Sequence, residues 1–173
     1  MAIDPQALGA VIDFSVFDHR ELAALSECFD RYLVDPGERV IERSSTPDRF
    51  FVILSGRMAV VRTLPGGDDV SLAVLQSGDI FGHLALLDGQ DRSASVRALD
   101  TADVLVMEKT HFDQLIQTDS RLATRFMHVL SRDLTRRLRQ ANLRLTDIAT
   151  LPNSAFVAMC HLEGLLSGNK EEG

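Results

Sequence analysis

Cysteine is scarce in this chain: Cys28 and Cys160 are its only two, far apart in sequence. Two thiols allow one disulfide at most. The N-terminus, Met1-Ala2-Ile3-Asp4-Pro5, lacks the basic and apolar regions of a secretion signal, so a reduced, cytoplasmic state is expected. Long hydrophobic runs are missing too. Apolar residues make up 45% of the chain, yet no uninterrupted stretch approaches the roughly 18 residues of a membrane span. Positive charge is in short supply: the net charge is −7 and the isoelectric point about 5.1. That opposes broad nucleic-acid binding, which rests on counterion release by clustered Lys and Arg. Lysine is nearly absent, with only Lys109 and Lys170.

Catalytic and metal-binding constellations are equally hard to find. His111, His128 and His161 have no ligand-like spacing, and Cys160-His161 lacks the second pair that a zinc site needs. No nucleophile–base motif stands out. The expectation is a non-enzyme with no catalytic residue, no metal and no resident cofactor.

What is present reads as a mainly β chain with flanking helices. Residues 1–34 read as a helical lead-in. Asp18 and Glu21 have the spacing of a capping box, and Leu22, Leu25, Phe29 and Leu33 follow at helical intervals. Phe14 and Phe17 staple the preceding turn to the core. Over 35–117 short apolar runs alternate with turns: Val40-Ile41, Phe50 to Leu54, Met58 to Val61, Val70 to Leu75, Val96, and Val104 to Met107. Many short strands about ten residues apart imply a barrel or sandwich. Val70, Leu72 and Val74 form one apolar face. Thr110 is placed to cap a short helix from His111 to Gln117.

Over 118–151 a long helix opens at Ser120. Its stripe runs through Leu122, Phe126, Leu130, Leu134, Leu138, Ala141, Leu145 and Ile148. From Leu134 onward the spacings are 4, 3, 4, 3, a heptad seam of the kind that pairs with a second copy. Such a helix, about 45 Å long at 1.5 Å per residue, outreaches what one small barrel covers. A stripe packed only on its own barrel is the alternative. Residues 152–173 hold a short apolar helix after Pro152 and a polar tail.

The window Phe81-Gly82-His83-Leu84-Ala85-Leu86-Leu87, with Asp91-Arg92-Ser93-Ala94-Ser95 beyond it, carries the chemistry. A glycine turn, successive backbone amides opening a short helical turn and one nearby guanidinium suit a small phosphate. Arginine fits because its charge is permanent and its donors form a planar fork. The other arginines of note, Arg132, Arg136, Arg137, Arg139 and Arg144, read by default as a solvated helix face.

This window resembles the phosphate-binding cassette of cyclic-nucleotide-binding domains, usually worded Phe-Gly-Glu-x-Ala-Leu and then Arg-x-Ala. Gly37-Glu38, Phe51-Val52-Ile53-Leu54-Ser55-Gly56 and Gly78-Asp79-Ile80-Phe81-Gly82 are also typical of the family. Gly89 to Ala94 and Phe112 to Gln117 resemble the bacterial cyclic-AMP receptor proteins. The resemblance covers residues from about 10 to 149. It implies a jelly-roll-like β-roll, N-terminal helices and a long C-terminal dimerisation helix.

It further implies nucleotide contacts at Leu72, Gly82, His83, Leu84, Ala85, Arg92, Ser93, Arg137 and Asn142, and a dimer seam at Leu134, Leu138, Ala141, Leu145 and Ile148. The family's glutamate holds the ribose 2′-hydroxyl; His83 stands in its place. Exchanging a charge-assisted bond for a neutral one costs about 1 kcal/mol, about fivefold in affinity. Ala141 and Asn142 replace a threonine and a serine that contact adenine. Ser44 stands where the family turns on glycine.

Family transcription factors carry a helix-turn-helix domain after the long helix. Only 22 residues follow Leu151 here, too few for one. The expected function is a stand-alone bacterial signalling module. It senses a cyclic nucleotide, cyclic AMP first, and regulates a protein partner as a homodimer, with DNA binding disfavoured. Two other readings stay open: a degenerate fold acting as a ligand-independent scaffold, and the sensory fragment of a DNA-binding regulator.

Overall fold

The computed structural model describes residues 3–11, 14–46, 48–64 and 66–149, with all their side chains except those at 85, 86, 144 and 147–149. Among the described residues thirteen elements follow one another: α1 (Pro5–Gly9), α2 (His19–Ser26), β1 (Asp30–Val34), β2 (Arg39–Ile41), β3 (Arg49–Ser55), β4 (Met58–Thr63), β5 (Asp69–Leu75), β6 (Ile80–Phe81), α3 (His83–Asp88), β7 (Ser95–Ala98), β8 (Ala102–Glu108), α4 (Lys109–Thr118) and α5 (Ser120–Ala149). The short helix expected after Pro152 lies outside the described residues. The chain divides into two units, Met1–Asp133 and Leu134–Gly173.

In the first unit the strands form two four-stranded sheets, ordered β1-β8-β3-β6 and β2-β7-β4-β5, with antiparallel neighbours. Side chains alternate across a strand, and here both faces of one sheet are used. Phe51 and Ile53 of β3, with Val104 and Val106 of β8, enter the core between the sheets. Phe50 and Val52, with Leu105 and Met107, face the opposite way, into a second core roofed by helices. This is why β8 is buried at every position but its last.

The second core is aromatic. Phe14, Phe29, Phe50 and Phe126 meet with centroids 5.7–6.5 Å apart, tilted or edge-on, as ring quadrupoles prefer. Leu122, Ala123, Phe126, Val129 and Leu130 bring the first half of α5 into it. The capping box of α2 forms as its spacing requires: Arg20 N and Glu21 N donate to Asp18 Oδ1, and Asp18 N to Glu21 Oε2, each at 2.9 Å.

Two local expectations need correction. The helix expected through Leu33 ends at Ser26, and residues 30–34 are strand; pairing with β8 from Asp30↔Val106 to Val34↔Ala102 overrides a weak helical periodicity. Leu33 consequently stands 75% exposed. The helix after β8 starts at Lys109 with Glu108, not Thr110, at its cap. The long helix is capped by Asp119, whose Oδ1 accepts from Leu122 N at 2.9 Å. The helix itself opens at Ser120, as expected, and the Asp119 carboxylate also meets the helix dipole.

Within the second unit, described by itself, α5 continues from Leu134 with no buried residue among its described side chains. Leu138, Leu143 and Leu145 are 62%, 66% and 64% exposed.

Candidate functional site

The cassette is built on a glycine elbow. Gly82 follows β6 with φ +81°, a conformation that L-residues avoid. A Cβ there would sit 3.0 Å from both Arg92 Nη1 and Ile41 Cδ1. The elbow therefore needs glycine for its turn and for the arginine packed against it. α3 starts at the next residue.

Arg92 is 5% exposed. Its Nη1 donates to the Gly82 carbonyl and its Nη2 to the Arg49 carbonyl. Among the described residues these bonds use two of the five donors of the fork. Its backbone is pinned as well: Ser44 N donates to Arg92 O at 2.9 Å, and Arg92 N to Ser45 O at 3.4 Å. Ser44 holds that turn at φ 63°, a left-handed conformation in a residue with a Cβ.

A cleft of about 420 Å³ lies beside Arg92, lined also by Arg39, Ile41, Glu42, Asp48 and Arg49. Its other cations have close carboxylates. Arg39 pairs with Asp69 at 2.7 Å and Glu42 at 3.2 Å, and Arg49 with Asp48 at 3.4 Å. Arg92 reaches Asp48 only at 3.8 Å. Burial pushes the Arg92 pKa below the ordinary arginine value; Asp48 opposes that shift and Arg49 adds to it. A buried cation with weak compensation is stabilised by an incoming anion.

The remaining expected contacts are placed as follows. His83 is 2% exposed, and its Nε2 lies 3.4 Å from Oδ2 of Asp133 on α5. It is not among the residues lining the Arg92 cleft. Leu84 is 55% exposed, Ser93 is exposed, and the Ala85 side chain lies outside the description. Leu72 is half exposed on β5, an edge strand, between exposed Val70 and Val74; Leu75 is the buried apolar residue of that strand. Arg137 is half-buried and Asn142 exposed in the second unit. Of the seam residues there, Leu134 is half-buried, Leu138, Ala141 and Leu145 are exposed, and the Ile148 side chain is outside the description.

Asp48, Arg49 and Asp133 were missed from sequence. Asp133 left a signal: it falls three residues after Leu130 and seven after Phe126, an acid on the apolar face of α5. Arg49 left none, because it acts through its backbone carbonyl. Among the described residues no cluster of three or more metal-ligating side chains occurs, and no helix is long and apolar enough to cross a membrane.

Residues 33–119 match the family model of the cyclic nucleotide-binding domain. The chain is 32% identical over 117 residues to the cyclic AMP receptor protein of Thermus thermophilus, covering 68% of this chain and 52% of the relative. It is 26% identical over 129 residues to the cAMP-dependent protein kinase regulatory subunit of Dictyostelium discoideum, covering 73% and 39%. Thus it spans about half the length, or less, of these relatives. A cyclic nucleotide-binding domain from Methylobacillus flagellatus superposes with a TM-score of 0.74 at 24% identity, covering 85% of this chain and 82% of that one. With a matched region that takes in the roll from β2 to α4 and holds the glycine elbow and its buried arginine, the chain belongs to the cyclic nucleotide-binding domain family.

Proposed function

We propose that this protein is a cytoplasmic bacterial regulatory module that binds a cyclic nucleotide, cyclic AMP first, and signals to a protein partner. One observation carries the reading: Arg92 is buried across the Gly82 elbow inside the matched domain, with two of its five donors engaged and its nearest carboxylate at 3.8 Å among the described residues. A cyclic phosphate presents two acceptor oxygens to that fork. In this reading the amides from Gly82 to Ala85 and the Ser93 hydroxyl complete the phosphate end, and Leu72 is a further nucleotide contact. In the assembly we propose, two copies pair along α5 through Leu134, Leu138, Ala141, Leu145 and Ile148, and Arg137 and Asn142 supply further nucleotide contacts. Ligand shifts such a dimer only through differential affinity for its two states. The relatives' names, a cyclic AMP receptor and a kinase regulatory subunit, support both the ligand class and an output through another macromolecule.

The second reading, a ligand-independent scaffold, is favoured by His83, which is buried 3.4 Å from Asp133 and does not line the Arg92 cleft. Calorimetric titration of protein shown to be free of bound nucleotide separates the two. Cyclic AMP, cyclic GMP and cyclic dinucleotides are the titrants, and saturable heat with a cyclic mononucleotide is expected. No heat and no thermal shift with any of them sinks the sensor.

A further inference from the structure

Each four-stranded sheet ends in two edge strands, β1 and β6 in one, β2 and β5 in the other. A bare edge offers unpaired N–H and C=O groups to another chain, so natural edges are kept short or broken by a bulge. Three of these edges are blunted in that way. β6 has only two residues, and the registers of β2 with β7 and of β5 with β4 each slip. β1 is the exception: it pairs with β8 without a slip from Asp30↔Val106 to Val34↔Ala102. Among the described residues no backbone hydrogen bond reaches β1 besides that ladder. Alternate residues therefore leave their N–H and C=O on the free edge. Tyr32 and Leu33 stand 55% and 75% exposed along it.

Two further observations say what would lie there. A cleft of about 310 Å³ opens beside the edge, walled by Tyr32 and Leu33 and lined by Val34, Phe51 and Val104 of the core between the sheets. A residue of an added strand opposite Tyr32 shares the face of that side chain, so it looks toward the cleft. The edge is also bracketed by acid, with exposed Glu27 and Asp30 before Tyr32 and exposed Asp35 and Glu38 after Leu33. None of these four is in an ion pair among the described residues. Arg31, the one cation between them, is turned to Asp103: its Nε donates to both carboxylate oxygens, at 3.0 and 3.1 Å.

We propose that β1 is the docking edge for a protein partner, which adds to it an extended segment with an apolar centre and Lys or Arg at both ends. Main-chain hydrogen bonds supply the affinity, and the cleft and the acids supply the selection. The inference gives the partner of the regulatory reading a place on the roll, and it rests on that reading for the partner's existence.

The experiment selects displayed random heptapeptides on the full chain. Tyr32 is the only tyrosine and tryptophan is absent, so intrinsic fluorescence reports on β1 itself. Selected peptides are expected to carry an apolar centre between Lys or Arg, to shift the Tyr32 emission and to slow amide exchange at residues 30–34. Leu33→Lys and, separately, Glu27→Gln/Asp35→Gln are each expected to weaken them about tenfold at low salt. N-methylation of one alternate set of peptide amides is expected to abolish binding. A selection that yields no such peptide overturns the proposal, as do peptides that leave exchange at β1 unchanged or bind both variants as well as the wild type. A dimer of the free protein that Leu33→Lys dissolves overturns it too, because a second copy then holds the edge. Calorimetry with cyclic AMP keeps the two ideas apart. Peptide capture at β1 by a protein that binds no cyclic nucleotide keeps the edge and sinks the sensor; nucleotide binding without capture does the reverse.

Discussion

Replacing Arg92 by alanine perturbs the site in two separable ways. In the free protein the carbonyls of Gly82 and Arg49 each lose a donor. Leaving a partly buried acceptor unmet costs about 1 kcal/mol at the low end of the usual range. Removing a guanidinium whose burial already disfavours its charge returns part of that loss. The net is about 1 kcal/mol, a fall in Tm of about 2–4 °C for a chain of this size. Toward an anionic ligand the loss is larger. A forked, charge-assisted contact contributes about 3 kcal/mol, so the affinity for cyclic AMP should drop by roughly a hundredfold. Arg92→Lys keeps the charge without the fork and should fall between the two. The assay is calorimetric titration below the variant's melting point, with a thermal melt alongside. A lower Tm with affinity unchanged refutes the reasoning: Arg92 would then be a structural brace and no ligand contact.

Other consequences are as specific. Ser44→Gly should raise stability by about 0.5–1 kcal/mol in a denaturant melt, because relief of the left-handed backbone at φ 63° outweighs the extra entropy glycine brings to the unfolded chain; a loss would mean that the Ser44 side chain matters more than its backbone. Gly56→Ala should cost about 3 kcal/mol, since its Cβ would lie 2.5 Å from the Thr101 carbonyl and 2.6 Å from Ala102 Cα at φ +86°. Asp18 and Asp100 both have lowered pKa values, Asp18 chiefly through the Glu21 amide and Asp100 chiefly through Arg57. Groups depressed on folding add stability above their unfolded pKa of about 3.9 and lose it as pH falls through the folded value. The wild type should therefore lose more stability than an Asp18→Asn/Asp100→Asn variant when melts at pH 7 and pH 2 are compared, and parallel losses would contradict this. Charges at Leu134 and Leu138 should give monomers by light scattering, whereas an unchanged dimer refutes the proposed seam. Because His83 is buried against Asp133 and does not line the Arg92 cleft, a 2′-deoxy cyclic AMP should bind within about threefold of cyclic AMP; strong discrimination by calorimetry would show that His83 reaches the sugar.

The roll was legible in the sequence because its signals are local and agree with one another. Turn residues separate short apolar runs, and the glycine at 82 announces its own conformation. The capping box of Asp18 and Glu21 was legible for the same reason. What escaped depends on distant partners. Tyr32 and Leu33 look helical in their own neighbourhood, and only pairing with β8 makes them strand. Val70, Leu72 and Val74 alternate as a core face would, yet β5 is an edge strand and all three stand exposed. Two-residue β6 is too short to show a period at all.

The candidate site divides in the same manner. Arg92 was readable from its cassette, but its use of the Gly82 and Arg49 carbonyls was not, since backbone acceptors leave no trace in residue identity. His83 was readable as an exception. That it turns to Asp133, fifty residues on, follows from α5 packing on the roll and not from any motif.

Amide and arginine side-chain spectra of nitrogen-labelled protein, titrated with cyclic AMP and with cyclic GMP, test the central claim most directly. A cyclic nucleotide held at the cassette predicts saturable shifts concentrated at Gly82 to Ala85, at Arg92 and Ser93, and at the Arg92 guanidinium. Spectra in which those resonances stay fixed at saturating concentrations of either nucleotide would contradict it.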